Sequence, residues 1–425
     1  MNLTYTKMTW RKWLPILAGL VLLFSCRDDD DSKTTGVVRF YVPDGSIQNN
    51  EHYWIILSNE TGQVLDWKPL QNAETYSYTL PGNVNESVTM TTVYSRPIPG
   101  GAGFSTSSTI TSYANVPAGT YTFDYFAVTG SDETMDPAYL TLSGFSASDN
   151  QLEWIYPQGM LTDTTDVDDP DTGLKLELAP LAQKTALLAI VRGELDHYLY
   201  TEIEAGETIA RSAEDFETFT PQPISIPEGM NWAFLQVSGN NAYGEFPYYS
   251  DMWGGPQEVP TAPGIFDSYT LQATMSDPAN ERSFNVRLTG ELPSEMPLLE
   301  SALQHFTAED DVVGWKTTTT SLDAVNIMVS KNEAAYSLYW SVVGDGGEQS
   351  ITLPRIPDDI PLEGVPASVN ARSFTALARQ DGATFSLLNF PHYTDYQDYL
   401  RKHFLYRTDY APEDFIESTQ HLFPQ

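Results

Sequence analysis

Leu174-Lys175-Leu176-Glu177-Leu178 alternates apolar and charged residues without a break, and Phe284-Asn285-Val286-Arg287-Leu288 and Tyr121-Thr122-Phe123-Asp124-Tyr125 repeat the pattern. Successive side chains of a strand point to opposite faces, so a period of two sets one face on a core and the other in water. Such runs are half-buried antiparallel strands. Turn pairs punctuate the chain between them: Asp44-Gly45, Thr61-Gly62, Pro81-Gly82, Pro99-Gly100-Gly101, Gly254-Gly255, Asp345-Gly346-Gly347 and Asp381-Gly382. Short strands separated by turns at this spacing predict an all-β chain of tandem antiparallel β-sandwich domains. Helical spacing is rare. Tyr396, Tyr399, Leu400, His403 and Phe404 fall on one helical face, and Thr394 with Gln397 has the spacing of a capping box, which predicts a short C-terminal helix.

Working outward, the alternating pattern begins near Val37. Sandwich domains are expected at 37–148 and 151–290, with a third β-rich domain at 291–425. No internal repeat is visible, which argues against a solenoid or propeller. The whole chain of 425 residues is 41% hydrophobic and 12% aromatic, too apolar for wholesale disorder. Its 57 Asp and Glu against 22 Lys and Arg give a net charge of −35. Nucleic acid is therefore not an expected partner, since binding to phosphate backbones is driven by Lys and Arg displacing counterions. The plain reading of the acidity is solubility outside a cell.

Lys7, Arg11 and Lys12 precede an apolar run from Trp13 to Phe24 that ends at Ser25-Cys26. The run is short of the ~20 residues a membrane span needs, and its flanks are those of a secretory signal. Residues 1–25 are thus expected to be a lipoprotein signal peptide. Cys26 is the sole cysteine, so a disulfide within one chain is impossible. Leu23-Phe24-Ser25-Cys26 resembles the lipobox of bacterial lipoproteins, although Phe24 is bulkier than the small residue usual there. The resemblance implies an acylated Cys26, anchoring the chain to an outer membrane. Asp28, Asp29, Asp30 and Asp31 follow, in a tether covering 26–36. They resemble the acidic export signal of Bacteroidetes-type surface lipoproteins, which implies an outward-facing location; the alternative is a merely flexible polar tether.

The stretch holding Asp166, Asp168 and Asp171 invites calcium, because hard cations take six to eight oxygens. Counted from Asp166, however, Pro170 falls on a ligand position of an EF-hand and Asp171 where glycine is required, although Glu177 stands at the twelfth place. A solvated loop is the competing reading. His52, His197, His305, His392, His403 and His421 show neither HExxH nor an i, i+4 pair for zinc. A serine elbow and phosphate-binding glycine loops are also missing from the sequence. Adjacent carboxylates such as Glu202 and Glu204 say little in so acidic a chain. No enzyme activity and no cofactor are expected. Tyr248, Tyr249 and Trp253, with Tyr243, Phe246 and Met252, interleave with Gly244, Glu245, Asp251 and Gly254 in a pattern suited to a loop that stacks on sugar faces. The alternative for these rings is the core of an irregular strand pair.

Val116-Pro-Ala-Gly-Thr-Tyr-Thr-Phe-Asp-Tyr-Phe-Ala-Val128 and Leu174-Lys-Leu-Glu-Leu-Ala-Pro-Leu-Ala-Gln-Lys-Thr-Ala-Leu-Leu-Ala-Ile-Val-Arg-Gly193, placed after the lipobox, resemble the fimbrillin-like and fimbria-anchor lipoproteins of the Bacteroidetes surface. The likeness covers roughly residues 26 to 290. It implies a structural, anchoring or adhesive role, fimbrial subunits as partners, and assembly by strand complementation, with main-chain hydrogen bonds giving affinity and alternate side chains giving register. In that family structural subunits lose their first strand at Arg or Lys, and Arg39 stands inside a predicted strand. The 135 residues after Gly290 exceed the two-domain pattern. A glycan-binding lipoprotein of a polysaccharide-uptake system is the second reading.

Overall fold

The computed structural model describes residues 36–80, 87–100, 103–122, 136–145, 151–157, 161–165, 174–178, 184–192, 196–252, 258–318, 322–347, 349–362, 364–391, 393, 395–403 and 414–422. These residues are all-β, with two short α-helices among them. One sheet of twelve strands runs through them in the order Gly244–Met252, Asn231–Asn241, Ser268–Asp277, Arg282–Gly290, Phe415–Leu422, Ala383–Asn389, Ala324–Glu333, Tyr336–Gly344, Gly103–Val116, Val88–Gly100, His52–Ser58 and Val64–Pro69. Neighbours are antiparallel except Gly103–Val116 and Tyr336–Gly344, which run parallel.

Near-continuous apolar runs explain the layering. In His52–Ser58, Tyr53, Ile55 and Leu57 enter one core while Trp54 and Ile56 enter another on the opposite face. A strand buried on both faces needs a layer on each side. The first is a three-stranded sheet in the order Glu74–Thr79, Val37–Val42, Gly119–Thr122. The second is the sheet Leu303–Glu309, Val312–Thr317, Gln349–Thr352. Lys184–Arg192 repeats the arrangement in the other half: Ala186, Leu188 and Ile190 face the long sheet's core, and Leu187, Ala189 and Val191 face a separate one. It lies within a five-stranded sheet whose far face is covered by Leu174–Leu178, Ala138–Ser143 and Thr208–Ser212.

Two boundaries differ from those expected. Among the described residues of 291–425, expected as a third domain, Val313, Trp315, Ile327 and Trp340 share a core with Trp54, Ile56, Val93 and Ile110. Shared burial arises because Gly103–Val116 and Tyr336–Gly344 hydrogen-bond directly along eight register positions. Ala138–Ser143, expected with the first domain, pairs with Leu174–Leu178 and Thr208–Ser212 of the second.

The helix expected from Tyr396 is present as Tyr396–His403, with Tyr396, Tyr399 and Leu400 buried. Asp395 Oδ1 accepts from Asp398 N at 2.9 Å at its start; Thr394, the expected cap, lies outside the described residues. Sequence reasoning missed the helix Phe374–Asp381, although Ser373 caps it through Ala376 N and Gly382 follows its last residue at φ 81°.

Tyr396 is a fastener. Its hydroxyl donates to Ala114 O at 2.8 Å and lies 3.1 Å from Val343 O, at the end of the parallel pair. Tyr396→Phe leaves buried carbonyls short of a donor and should cost about 1–3 kcal/mol of unfolding free energy, read by chemical denaturation. Asp323 is buried too, accepting from Phe390 N at 2.6 Å, and burial followed by the nearby Asp395 and Asp398 charges pushes its carboxyl above the usual range. The folded state therefore holds this proton to higher pH than the unfolded chain, and the contribution of Asp323 to stability falls as pH rises through that window. Asp323→Asn keeps an acceptor and removes the charge; it should flatten this slope and raise the neutral-pH midpoint, checked by denaturation from pH 4 to 8.

Candidate functional site

Tyr248 does not lie in an exposed loop. It stands on the strand Gly244–Met252, at a bulge where Val237 opposes Tyr249 and Ser238 opposes Pro247. Its ring is stacked at 8° on both Phe219, with centroids 5.4 Å apart, and Phe266, at 5.7 Å. The hydroxyl donates to Pro260 O at 2.6 Å, and burial pushes its pKa far above the ordinary tyrosine value. Tyr248 is only 1% exposed, which corrects the reading of it as a sugar platform. Tyr249 is half-buried against the same core, its hydroxyl pushed up to about 12 by burial and by Asp251. Trp253 lies outside the described residues.

The free edge of this strand is blocked. Pro247 has no N–H to offer, and Arg192 Nη2 donates to Tyr248 O at 2.8 Å while pairing with Glu153 and Asp196. Proline, a bulge and a charged side chain are devices that stop unwanted strand addition.

The first described strand, Val37–Val42, is arranged differently. It is the middle strand of its small sheet, pairing antiparallel with Glu74–Thr79 over six positions and parallel with Gly119–Thr122 over four. Val38, Phe40 and Val42 point into the core and are at most 2% exposed, while Tyr41 is 40% exposed on the outer face. Arg39 stands opposite Ser77 on one side and Thr120 on the other, so its backbone is held in the ladder. The adjoining Pro-Ala-Gly-Thr-Tyr turn is closed by the Tyr121 hydroxyl, which donates to Pro117 O at 2.9 Å.

Beside this strand an apolar cleft opens between the edge strands Val64–Pro69 and Glu74–Thr79. Val38, Phe40, Ile55, Leu57, Trp67, Tyr76 and Tyr78 line it, and it is a shallow depression open to solvent. Among its polar lining side chains, Asp66 and Lys68 pair with each other at 3.1 Å. Tyr76 OH donates to Glu74 Oε2 at 2.9 Å, and burial, then that bond, pushes its pKa up to about 12. Apolar side chains of an added segment fit this slot better than a hydroxyl-rich ligand. Sequence reasoning missed the cleft; the alternation Tyr76-Ser77-Tyr78 beside Trp67 was its only signal.

Cys26, the acidic run Asp28 to Asp31, and the calcium candidates Asp166, Asp168 and Asp171 lie outside the described residues. Among the described residues, no three His, Cys, Asp or Glu side chains are grouped as a metal ion would require. No described helix is long and apolar enough to cross a membrane.

No protein-family model matches the chain, and no curated protein matches it. Among solved structures, a candidate cell adhesion protein from Parabacteroides distasonis aligns with 43% of this chain and 90% of its own, at 12% identity and a TM-score of 0.13. The pilus adhesin SpaC from Lactobacillus rhamnosus GG aligns over 73% of this chain and 43% of its own, at 8% identity and 0.13. SpuA, a multi-modular glycogen-degrading pneumococcal virulence factor, aligns over 84% and 37%, at 11% and 0.13. Likeness at these TM-scores supports no inference about this chain.

The ring stack sets its own test. A methyl group on Gly239 would sit 2.2 Å from the Phe266 ring. Gly239→Ala should cost about 1–3 kcal/mol by forcing Phe266 and Tyr248 apart, seen as a lower midpoint in denaturant and a loss of near-ultraviolet circular dichroism.

Proposed function

We propose that this chain is a non-enzymatic surface lipoprotein, held to an outer membrane through Cys26 and facing outward, that serves as a structural, anchoring or adhesive component and joins neighbours by β-strand complementation. The observation that carries the reading is the position of Val37–Val42. The strand nearest the tether is a central strand, inserted between two others and filling the core with Val38, Phe40 and Val42. Exchange of such a strand for a neighbour's keeps every ladder bond and every apolar contact, so little free energy separates the closed and linked forms. Beside it, the cleft presents apolar walls rather than sugar-binding groups. The net charge of −35 suits an exposed, soluble surface. Arg39 is a poor cleavage site in the folded chain, because a protease needs an extended segment free of its ladder. Any release of the first strand therefore precedes folding or leaves Arg39 intact. Burial of Tyr248, the ring at its centre, weighs against glycan binding at this strand.

Two measurements check this. Metabolic labelling with an alkyne fatty acid should mark the full chain and not a Cys26→Ala variant, which should leave the membrane fraction; an unmodified N-terminus on soluble wild-type material overturns the anchoring. The folded chain, incubated with a labelled synthetic peptide of residues 36–44, should take up the peptide in place of its own first strand. No uptake under conditions that preserve the fold contradicts the complementation.

A further inference from the structure

Gly103–Val116 and Tyr336–Gly344 contain no charged residue, in a chain that is 19% charged. One face of this strand pair is core, with Ile110, Ser112, Leu338 and Trp340 at most 1% exposed. The other face sets Ser107, Thr109 and Thr111 opposite Ser337, Tyr339 and Ser341, all six half-buried. On these two strands the core beneath the small sheet ends at Tyr113 and Val343, and the hydroxyls lie beyond it. Arg96 is the one charged residue of the adjoining strand Val88–Gly100. It stands directly opposite Ser107, so Arg96, Ser107 and Ser337 form a row across three strands. Arg96 is in none of the ion pairs among the described residues, and its buried Nε has no hydrogen-bond partner there. Glu51, which the Tyr94 hydroxyl reaches at 2.9 Å, is not paired with it. Asn326, on the next strand Ala324–Glu333 and on the same face, has an Oδ1 that also lacks a partner among the described residues.

Charge complementarity decides what such a face holds. The chain as a whole carries −35, yet an anion approaching these strands meets a guanidinium without a carboxylate partner and no charge of its own sign on either hydroxyl-bearing strand. Exposed charges elsewhere are largely screened beyond about 8 Å at physiological salt. Guanidinium offers a planar fork of donors that matches a carboxylate. Around it stand hydroxyls repeated across the strands every 4.8 Å or so, about the length of one sugar ring. The strands are interior to the sheet and paired on both sides, so their main chain has no free edge for a peptide. We infer that this face binds an acidic saccharide: Arg96 takes a uronate carboxylate, and the Ser and Thr hydroxyls with Asn326 take the ring hydroxyls, a few directing polar groups fixing the ligand's orientation. The face lies apart from Val37–Val42 and Cys26, so a failure here leaves acyl labelling and peptide uptake untouched.

Affinity electrophoresis of the full chain, through gels holding polygalacturonate, alginate, hyaluronate or neutral dextran, tests it. The chain should be retarded by at least one of the three polyuronates and not by dextran. Arg96→Gln should raise the apparent dissociation constant by about tenfold or more, the loss expected for a hydrogen bond to a charged group. Ser337→Glu, which sets a carboxylate in the same row, should do likewise, while Glu60→Gln at an exposed turn should bind as the parent does. Far-ultraviolet circular dichroism unchanged from the parent shows that each variant is folded. No retardation by any polyuronate overturns the inference, as does undiminished binding by both Arg96→Gln and Ser337→Glu. Equal retardation by dextran would mean a site for neutral sugars, and competition by poly-glutamate as strong as by the polyuronate would mean a site for any polyanion; either result overturns it as well.

Discussion

Burial of the same strands on both faces is the constraint from which the architecture follows. His52–Ser58 and Lys184–Arg192 each feed two cores, one on either side. A fully buried Leu, Ile or Val contributes about 1.5–3 kcal/mol, and a strand carrying three or four of them, spread over both faces, cannot form an outer wall. It requires a cover on each side. The small sheet around Val37–Val42, the sheet around Val312–Thr317 and the two helices supply the covers in one half of the molecule. In the other half, the long sheet and the strands around Ala138–Ser143 cover Lys184–Arg192.

That arrangement spends the aromatic side chains on the interior. Tyr248, Phe219 and Phe266 stack with one another, Trp340 donates to Ser112 Oγ at 3.1 Å within the core, and Tyr396 joins two strands through their carbonyls. The outward chemistry is left to carboxylates, hydroxyls and strand edges. Edges behave unequally: Gly244–Met252 is closed to addition by Pro247 and Arg192, while the cleft beside Val64–Pro69 stays open. Molecules whose exposed features are edges and slots recognise other polypeptides by extending a sheet, which is the sense of the proposed surface role.

Local structure was legible where one face met water. Phe284-Asn285-Val286-Arg287-Leu288 is a strand with Phe284 and Val286 buried, as its alternation predicts. The pairs Asp44-Gly45 and Thr61-Gly62 are turns in which glycine takes φ of 77° and 75°. Around Tyr248 the rings beside glycine and carboxylate left two readings, an exposed loop or the core of an irregular strand pair, and the burial of Phe246 and Tyr248 at a bulged strand pair matches the second. The helix Phe374–Asp381 carried Ser373, Gly382 and apolar residues at 374, 377 and 378, a signal outweighed by its shortness. Sheet order was beyond reach, because the parallel pairing of Ser107 with Ser337 joins segments 230 residues apart and no local pattern encodes a partner. For the same reason the region after Gly290 read as an appended domain, when its strands complete the core of the first.

Continuity of the long sheet is the central claim, and hydrogen–deuterium exchange resolved to short peptides tests it most directly. The account predicts that amides of Phe415–Leu422 are protected together with those of Arg282–Gly290 and Ala383–Asn389, all three opening far more slowly than an unpaired chain. Exchange of Phe415–Leu422 at the unpaired rate, while its neighbours stay protected, would mean two separate sheets and would contradict it.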